Sequence, residues 1–183
     1  MSITRPSCRI RRQSGVTLVE SAVVLGIVAV MVGVAVPRFD EVRATRTLEV
    51  ATAQLRTDVH HARSTAVAMG QTVRLQVRSD AQGSCYVVHT GALADCRCTA
   101  AGEAQCNAPA QVLRSMSFGA DQRLGLSANM AGIGFDPFQG TATPTGTVTV
   151  TNGRGDALKV VVNVMGRARS CLAAGSLRGY PGC

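Results

Sequence analysis

The stretch GVTLVESAVVLGIVAVMVGVAV, residues 15–36, carries one charged side chain, Glu20, in an otherwise apolar run. From Val16 to Val36 it is long enough to cross a bilayer, which takes about 20 helical residues. A carboxylate inside such a span costs about 3 kcal/mol and points to a function. A secretory signal has a shorter apolar region with its cleavage site behind it. Here the small residue, Gly15, stands in front. Cutting there removes what precedes the helix and keeps the helix.

Ahead of the run, residues 1–15 hold Arg5, Arg9, Arg11 and Arg12 and no acid. Basic residues before an apolar span hold the N-terminus in the cytoplasm, so the bulk of the chain is expected across the membrane, in the periplasm. The formal net charge of +8 is distributed unevenly. Residues 16–153 balance ten Arg against ten acids, whereas residues 154–183 carry Arg154, Lys159, Arg167, Arg169 and Arg178 against Asp156 alone. The far end is basic on the side of the membrane where the positive-inside rule offers no reason for it.

Removal of the leader takes Cys8 with it and leaves Cys85, Cys96, Cys98, Cys106, Cys171 and Cys183. An even number in a translocated domain implies disulfides. Cys171 and Cys183 are segregated near the end and are expected to pair; the pairing of the other four is open.

After Pro37, the residues Leu48, Ala51, Leu55, Val59, Ala62, Ala66 and Met69 recur at steps of three or four and form one helical face. Arg43, Arg46, Glu49, Arg56, Asp58 and Arg63 fall mostly elsewhere, and Gly70 is a natural stop. Pro37 removes a backbone bond, so it either kinks the helix or marks its entry into water. A helix from Val16 to Met69 is roughly 80 Å long at about 1.5 Å per residue, too long for one small domain to cover.

Beyond Gly70 the period becomes two. QTVRLQVR (71–78), CYVVH (85–89) and, more weakly, QVLRSMSF (111–118) read as strands. TVTVT (147–151), the turn NGRGD (152–156) and LKVVVNV (158–164) read as a hairpin, and IGFDPFQG (133–140) as a short strand or turn. Residues 91–110 read as a long irregular connection. The fold class is α+β, a long helix packed on an antiparallel sheet. Four segments follow: a leader 1–15, a membrane and assembly helix 16–37, an amphipathic helix 38–70, and a β-rich domain 71–183.

SGVTLVESAVVLGIVAVMVGVAVPRF (14–39) resembles the processing and membrane segment of type IV pilins and pseudopilins. The resemblance implies cleavage by prepilin peptidase between Gly15 and Val16 and methylation of the new N-terminus. It also implies a filament-assembly role for Glu20 and Pro37, with Glu20 meeting the N-terminus of a neighbouring subunit. Val16 stands where the family most often has Phe. IGFDPFQGTATPTGTVTVTNGRGDALKVVVNVMGRARSC (133–171) is similar to the C-terminal region of the FimT/GspH group of minor pilins, most like its FimT members. There a Phe-x-Pro-x-x-Gly turn, two strands and a closing Gly-Arg recur. In FimT-like proteins the G-R-x-R ending, here Gly166, Arg167, Ala168 and Arg169, is associated with DNA binding in natural transformation.

The residues themselves fit that chemistry. Residues i and i+2 of an extended segment share a side, so Arg167 and Arg169 present two guanidinium forks together, each able to bind phosphate oxygens bidentately. Arg154, Lys159 and Arg178 are expected to extend the basic patch. With Tyr180 the only aromatic near the end, contacts to the DNA backbone with little sequence preference are expected. An Arg pair alone more often solubilises a strand end; the charge segregation and the family ending favour DNA.

The competing expectation is a GspH/FimU-like structural subunit that primes or caps a pilus or a type II secretion pseudopilus, its basic end a subunit interface. Adhesion to a host surface is more remote, and Arg154-Gly155-Asp156 also reads as an ordinary turn. Adjacent His60 and His61 face different directions, and the cysteine spacing is not that of a zinc site. No catalytic constellation or P-loop is present, so neither an enzyme nor a cofactor is expected.

Overall fold

The computed structural model describes Gly15 and residues 17–183, and within 35–38 only the helical backbone. The basic segment 1–14, Val16 with its expected cleavage bond, and the side chain of Pro37 lie outside the described residues. The chain divides into two compact units, Met1–Asp40 and Glu41–Cys183.

The first unit contains the start of helix α1 (Leu18–Met69). Thr17 is its cap: the Glu20 amide donates to Thr17 Oγ1 at 3.3 Å, and the Ser21 amide to the Thr17 carbonyl at 3.1 Å. Thr17-Leu18-Val19-Glu20 thus has the spacing of a capping box, with an acid in the first turn where the helix dipole favours negative charge. The described side chains of this unit are all exposed, and the helix is long and apolar enough to cross a membrane.

In the second unit, α1 buries Leu48, Ala51, Leu55, Val59, Ala62 and Ala66, as the periodicity requires. Two positions depart from the expected pattern. Met69, in the last turn, is 44% exposed, and Asp58 is buried. Asp58 lies inside because Tyr86 Oη donates to its carboxylate at 2.6 Å and Gln54 Nε2 at 3.0 Å. Gly70 ends the helix at φ 64°, with the Gln71 amide reaching back to the Ala66 carbonyl, the bond of a Schellman cap.

Eleven strands follow among the described residues: β1 (Val73–Asp80), β2 (Gly83–Thr90), β3 (Cys96–Cys98), β4 (Ala104–Cys106), β5 (Val112–Gly119), β6 (Leu124–Ala128), β7 (Gly132–Phe135), β8 (Ala142–Thr143), β9 (Gly146–Asn152), β10 (Ala157–Val162) and β11 (Ala168–Ala174). They form two principal antiparallel sheets, ordered β5-β2-β1-β7-β8 and β11-β10-β9-β6, and a small β3-β4 hairpin. The helix face, Val73, Leu75, Tyr86, Ile133 and Phe135 of one sheet, and Val148, Val150, Leu158, Val160 and Val162 of the other share one core. Where one sheet was expected there are two, joined where the Leu126 amide donates to Ser84 Oγ at 3.0 Å. Strands β6 and β11 were not foreseen.

Segment 91–110 is less irregular than expected. Its β3-β4 hairpin pairs Cys96 with Cys106, which are also bridged, and Cys98 is bridged to Cys85 on β2. This packs Cys98 and Ala104 against Cys85 and Val87, so β2 is buried on both faces from Ser84 to Thr90. The third disulfide joins Cys171 to Cys183. It ties the final residues to β11, where the Cys183 amide donates to the Leu172 carbonyl and the Leu172 amide to that of Pro181.

Candidate nucleic-acid interface

The β10-β11 turn is built by Asn163 and Gly166. The Asn163 amide donates to the Arg167 carbonyl at 3.1 Å, the Gly166 amide to the Asn163 carbonyl at 2.9 Å, and the Arg167 amide to Asn163 Oδ1 at 2.9 Å. Gly166 has φ 68° and is buried. A Cβ there would collide with the Gly140 carbonyl oxygen and with Arg63 Cδ. Arg63, on the helix, donates through Nε to that same carbonyl at 3.0 Å, and the Ala142 amide donates to the Val164 carbonyl at 2.9 Å. The turn therefore sits on the 136–142 loop and is braced by α1. Gly166 is needed for the seating of the turn, and the arginine after it is what the seating presents.

Strand register then sets the side-chain directions. Arg169 stands opposite Val161, and Lys159 stands between Cys171 on β11 and Thr149 on β9. Leu158, Val160 and Val162 face the core, so Lys159, Val161 and Arg169 face away from it. The Asn163–Arg167 pairing continues the ladder and puts Arg167 on that outer side with Arg169; both are exposed. Lys159 and Arg169 are diagonal neighbours, a relation that brings Cβ atoms to about 7–8 Å. Beside them a shallow depression is lined by Ser127, Asn129, Thr147, Thr149, Lys159 and Cys183. Two guanidiniums and an ammonium beside hydroxyl and amide groups form a surface suited to phosphate and sugar oxygens.

Arg154 and Arg178 are not part of this surface. Arg154 lies in the β9-β10 turn, at the opposite end of β10 from Gly166, and a six-residue strand spans about 20 Å. Asn152 shapes that turn, its Oδ1 accepting the amides of Arg154 and Asp156 at 3.0 Å each. Arg154 and Arg178 line a separate groove with Glu41, Arg46, Glu49 and Asp156, where three carboxylates accompany three guanidiniums. The only ion pair among the described residues, Arg46–Glu49 at 2.9 Å, is at this groove. The charge is balanced there and unbalanced at the β10-β11 surface.

The aromatic inventory also changes. Tyr180 is half-buried against the core, whereas Phe138 is 87% exposed on the loop that seats Gly166. Sequence reasoning missed Phe138 and the bracing role of Arg63 and Gly140. The only signal for them was the Phe-x-Pro-x-x-Gly pattern at 135–140. Among the described residues no group of three or more His, Cys, Asp or Glu is placed to hold a metal ion.

The family model described as type II transport protein GspH matches residues 51–166 of this chain. The chain belongs to the GspH family. Its match begins inside the helix and ends at Gly166, so it spans most of the core and strands β1 to β10 but not Arg167, Arg169 or strand β11. Two crystal structures of the type IV minor pilin FimU of Pseudomonas aeruginosa are similar to it, each at 21% identity. One covers 71% of this chain and 90% of FimU with a TM-score of 0.48. The other covers 69% and 92% with a TM-score of 0.45. No curated protein matches the chain.

Proposed function

We propose that this GspH-family chain is a FimT-like minor pilin that binds extracellular DNA for uptake in natural transformation. The observation that carries the reading is the placement of Arg167, Arg169 and Lys159 on one outward side of β10 and β11, with no carboxylate paired to them among the described residues. Such a surface contacts phosphates and reads little sequence. Before assembly the chain sits in the bacterial inner membrane through its apolar helix, N-terminus cytoplasmic and the sheets periplasmic. Prepilin peptidase cuts between Gly15 and Val16, the new N-terminus is methylated, and Glu20 and Pro37 act in packing the helix among other pilin subunits. Three cations per subunit give weak binding, which several subunits in one filament raise by avidity.

A second reading is favoured by the family's own description as a type II transport protein. In it the chain primes or caps a secretion pseudopilus, and the basic side of β10 and β11 is covered by another subunit. Transformation efficiency in a strain carrying Arg167→Ala with Arg169→Ala, piliation measured in parallel, separates the two. Lost transformation with normal pili supports DNA capture. Unchanged transformation contradicts it, and lost filaments support the structural reading.

A further inference from the structure

Phe138 is the most exposed large hydrophobic side chain among the described residues, more so even than those of the apolar helix. It is held firmly nonetheless. Asp136 Oδ1 accepts the amides of Phe138 and Gln139 at 2.9 Å each. The Gly140 amide donates to the Asp136 carbonyl and the Asp136 amide to that of Thr141, both at 2.9 Å. The ring therefore stands on a closed turn in which the backbone donors on both sides of it are bonded.

That turn is the seat of the β10-β11 tip, where Val164 is 57% and Met165 53% exposed. Phe138 is two residues from Gly140, and Arg167 is one residue from Gly166, which packs on Gly140. With 3.8 Å between consecutive Cα atoms, the two backbones lie within roughly 16 Å of each other. An aromatic ring exposed to water, on the same turn that seats two more exposed apolar side chains and the start of the arginine-bearing segment, is an arrangement that a phosphate-only surface does not need.

We propose that Phe138 stacks on an unpaired nucleobase, so that this site takes single-stranded DNA in preference to duplex. The proposal rests on the DNA-binding reading above and adds the form of DNA. Arg167 and Arg169 hold the phosphates, the ring takes the face of a base, and Val164 and Met165 cover the adjoining sugar or base edge. Every base has a π-face, so stacking adds affinity without adding sequence preference. In a duplex those faces are closed to the ring except at ends, and only the phosphate contacts remain. The ring's contribution also survives added salt, unlike that of the arginines.

The test uses the full chain in detergent micelles with one mixed-sequence oligonucleotide, single-stranded and as duplex. Phe138→Ala should weaken single-strand binding about tenfold or more, within the range that base–aromatic stacking supplies, and leave duplex binding within about twofold. The chain has no Trp, so Phe138→Trp adds a sole indole whose emission should be quenched by the single strand and not by the duplex. Equal affinity of the wild-type chain for both forms, or an unquenched indole, overturns the stacking while leaving DNA binding in place. Failure of both forms to bind the wild-type chain defeats the DNA reading itself. Intact DNA binding by Phe138→Ala with lost incorporation into filaments overturns the proposal in favour of a subunit contact.

Discussion

Arg63 on the helix donates to the carbonyl oxygen of Gly140 at 3.0 Å, and Gly166 packs over the same carbonyl. The contact links three parts of the chain that are remote in sequence. It gives the Gly of the G-R-x-R ending a structural task distinct from that of its arginines. A side chain at 166 meets both a positive φ and a backbone oxygen, so Gly166→Ala is expected to destabilise the fold by about 2–4 kcal/mol. It should also weaken DNA binding although both arginines remain. Urea unfolding and DNA affinity of the same variant check this; native stability with native affinity would contradict it.

Asp58 and Tyr86 form the polar contact inside the core. Burial, and then the bond to Asp58, holds the Tyr86 phenol well above its ordinary pKa of 10. Tyr86→Phe leaves the buried carboxylate with Gln54 as its remaining side-chain donor. A loss of about 2–3 kcal/mol is expected, the cost of a hydrogen bond to a charged group. In the wild-type chain the unfolded state releases the phenolic proton above pH 10 and the folded state keeps it, so stability should fall as pH rises past 10. In Tyr86→Phe that component of the alkaline fall should be absent from unfolding curves.

His89 is fully buried; its Nδ1 donates to the Thr90 carbonyl at 2.8 Å and its Nε2 has no partner. Burial lowers its pKa, aided by Arg74 and opposed by the Thr90 carbonyl and Asp95. Below pH 6.5 the unfolded chain binds a proton that the folded chain refuses, so stability should fall with pH there, by at most about 1.4 kcal/mol per unit. Denaturant midpoints from pH 8 to pH 5 should show this slope, and His89→Phe should flatten it. An equal slope in the variant would assign the effect to other groups.

The assembly role proposed for Glu20 can be tested apart from its place in the first turn of the helix. Gln replaces Glu in a capping box, so Glu20→Gln keeps the helix start while removing the charge. If Glu20 pairs with the N-terminus of a neighbouring subunit, the variant should be made and inserted at normal levels but incorporated poorly into filaments. Normal incorporation would contradict the assembly role.

The parts legible in the sequence were those with strong periodicity. The buried helix face came through almost whole, because apolar residues at three- and four-residue steps have one place to go. Strands β1, β9 and β10 were legible through their alternation, and β2 as a short apolar run. Strand β11 was not: ARSCLAA (168–174) is small and polar, and it is a strand because β10 and the Cys171–Cys183 bridge pin it. The β3-β4 hairpin likewise rests on the pairing of four cysteines whose partners spacing does not reveal. Met69 and Asp58 broke the pattern for opposite reasons, one exposed in the last turn of the capped helix and one drawn inward by Tyr86. The basic patch was legible as a sum of charge but not as a place. Arg154 and Arg167 stand at opposite ends of one strand, and the acids that neutralise the surroundings of Arg154 and Arg178 come partly from the distant helix.

The most direct measurement is the salt dependence of duplex DNA affinity for the full chain in detergent micelles, with and without Arg167→Ala and Arg169→Ala. Three phosphate contacts, from Arg167, Arg169 and Lys159, predict that log K falls with log salt at a slope of about −3, returning to about −1 in the double variant. Arg154→Ala with Arg178→Ala should leave slope and affinity unchanged. An unchanged slope in Arg167→Ala with Arg169→Ala, or loss of binding only on replacing Arg154 and Arg178, would contradict the assignment of the β10-β11 surface to DNA.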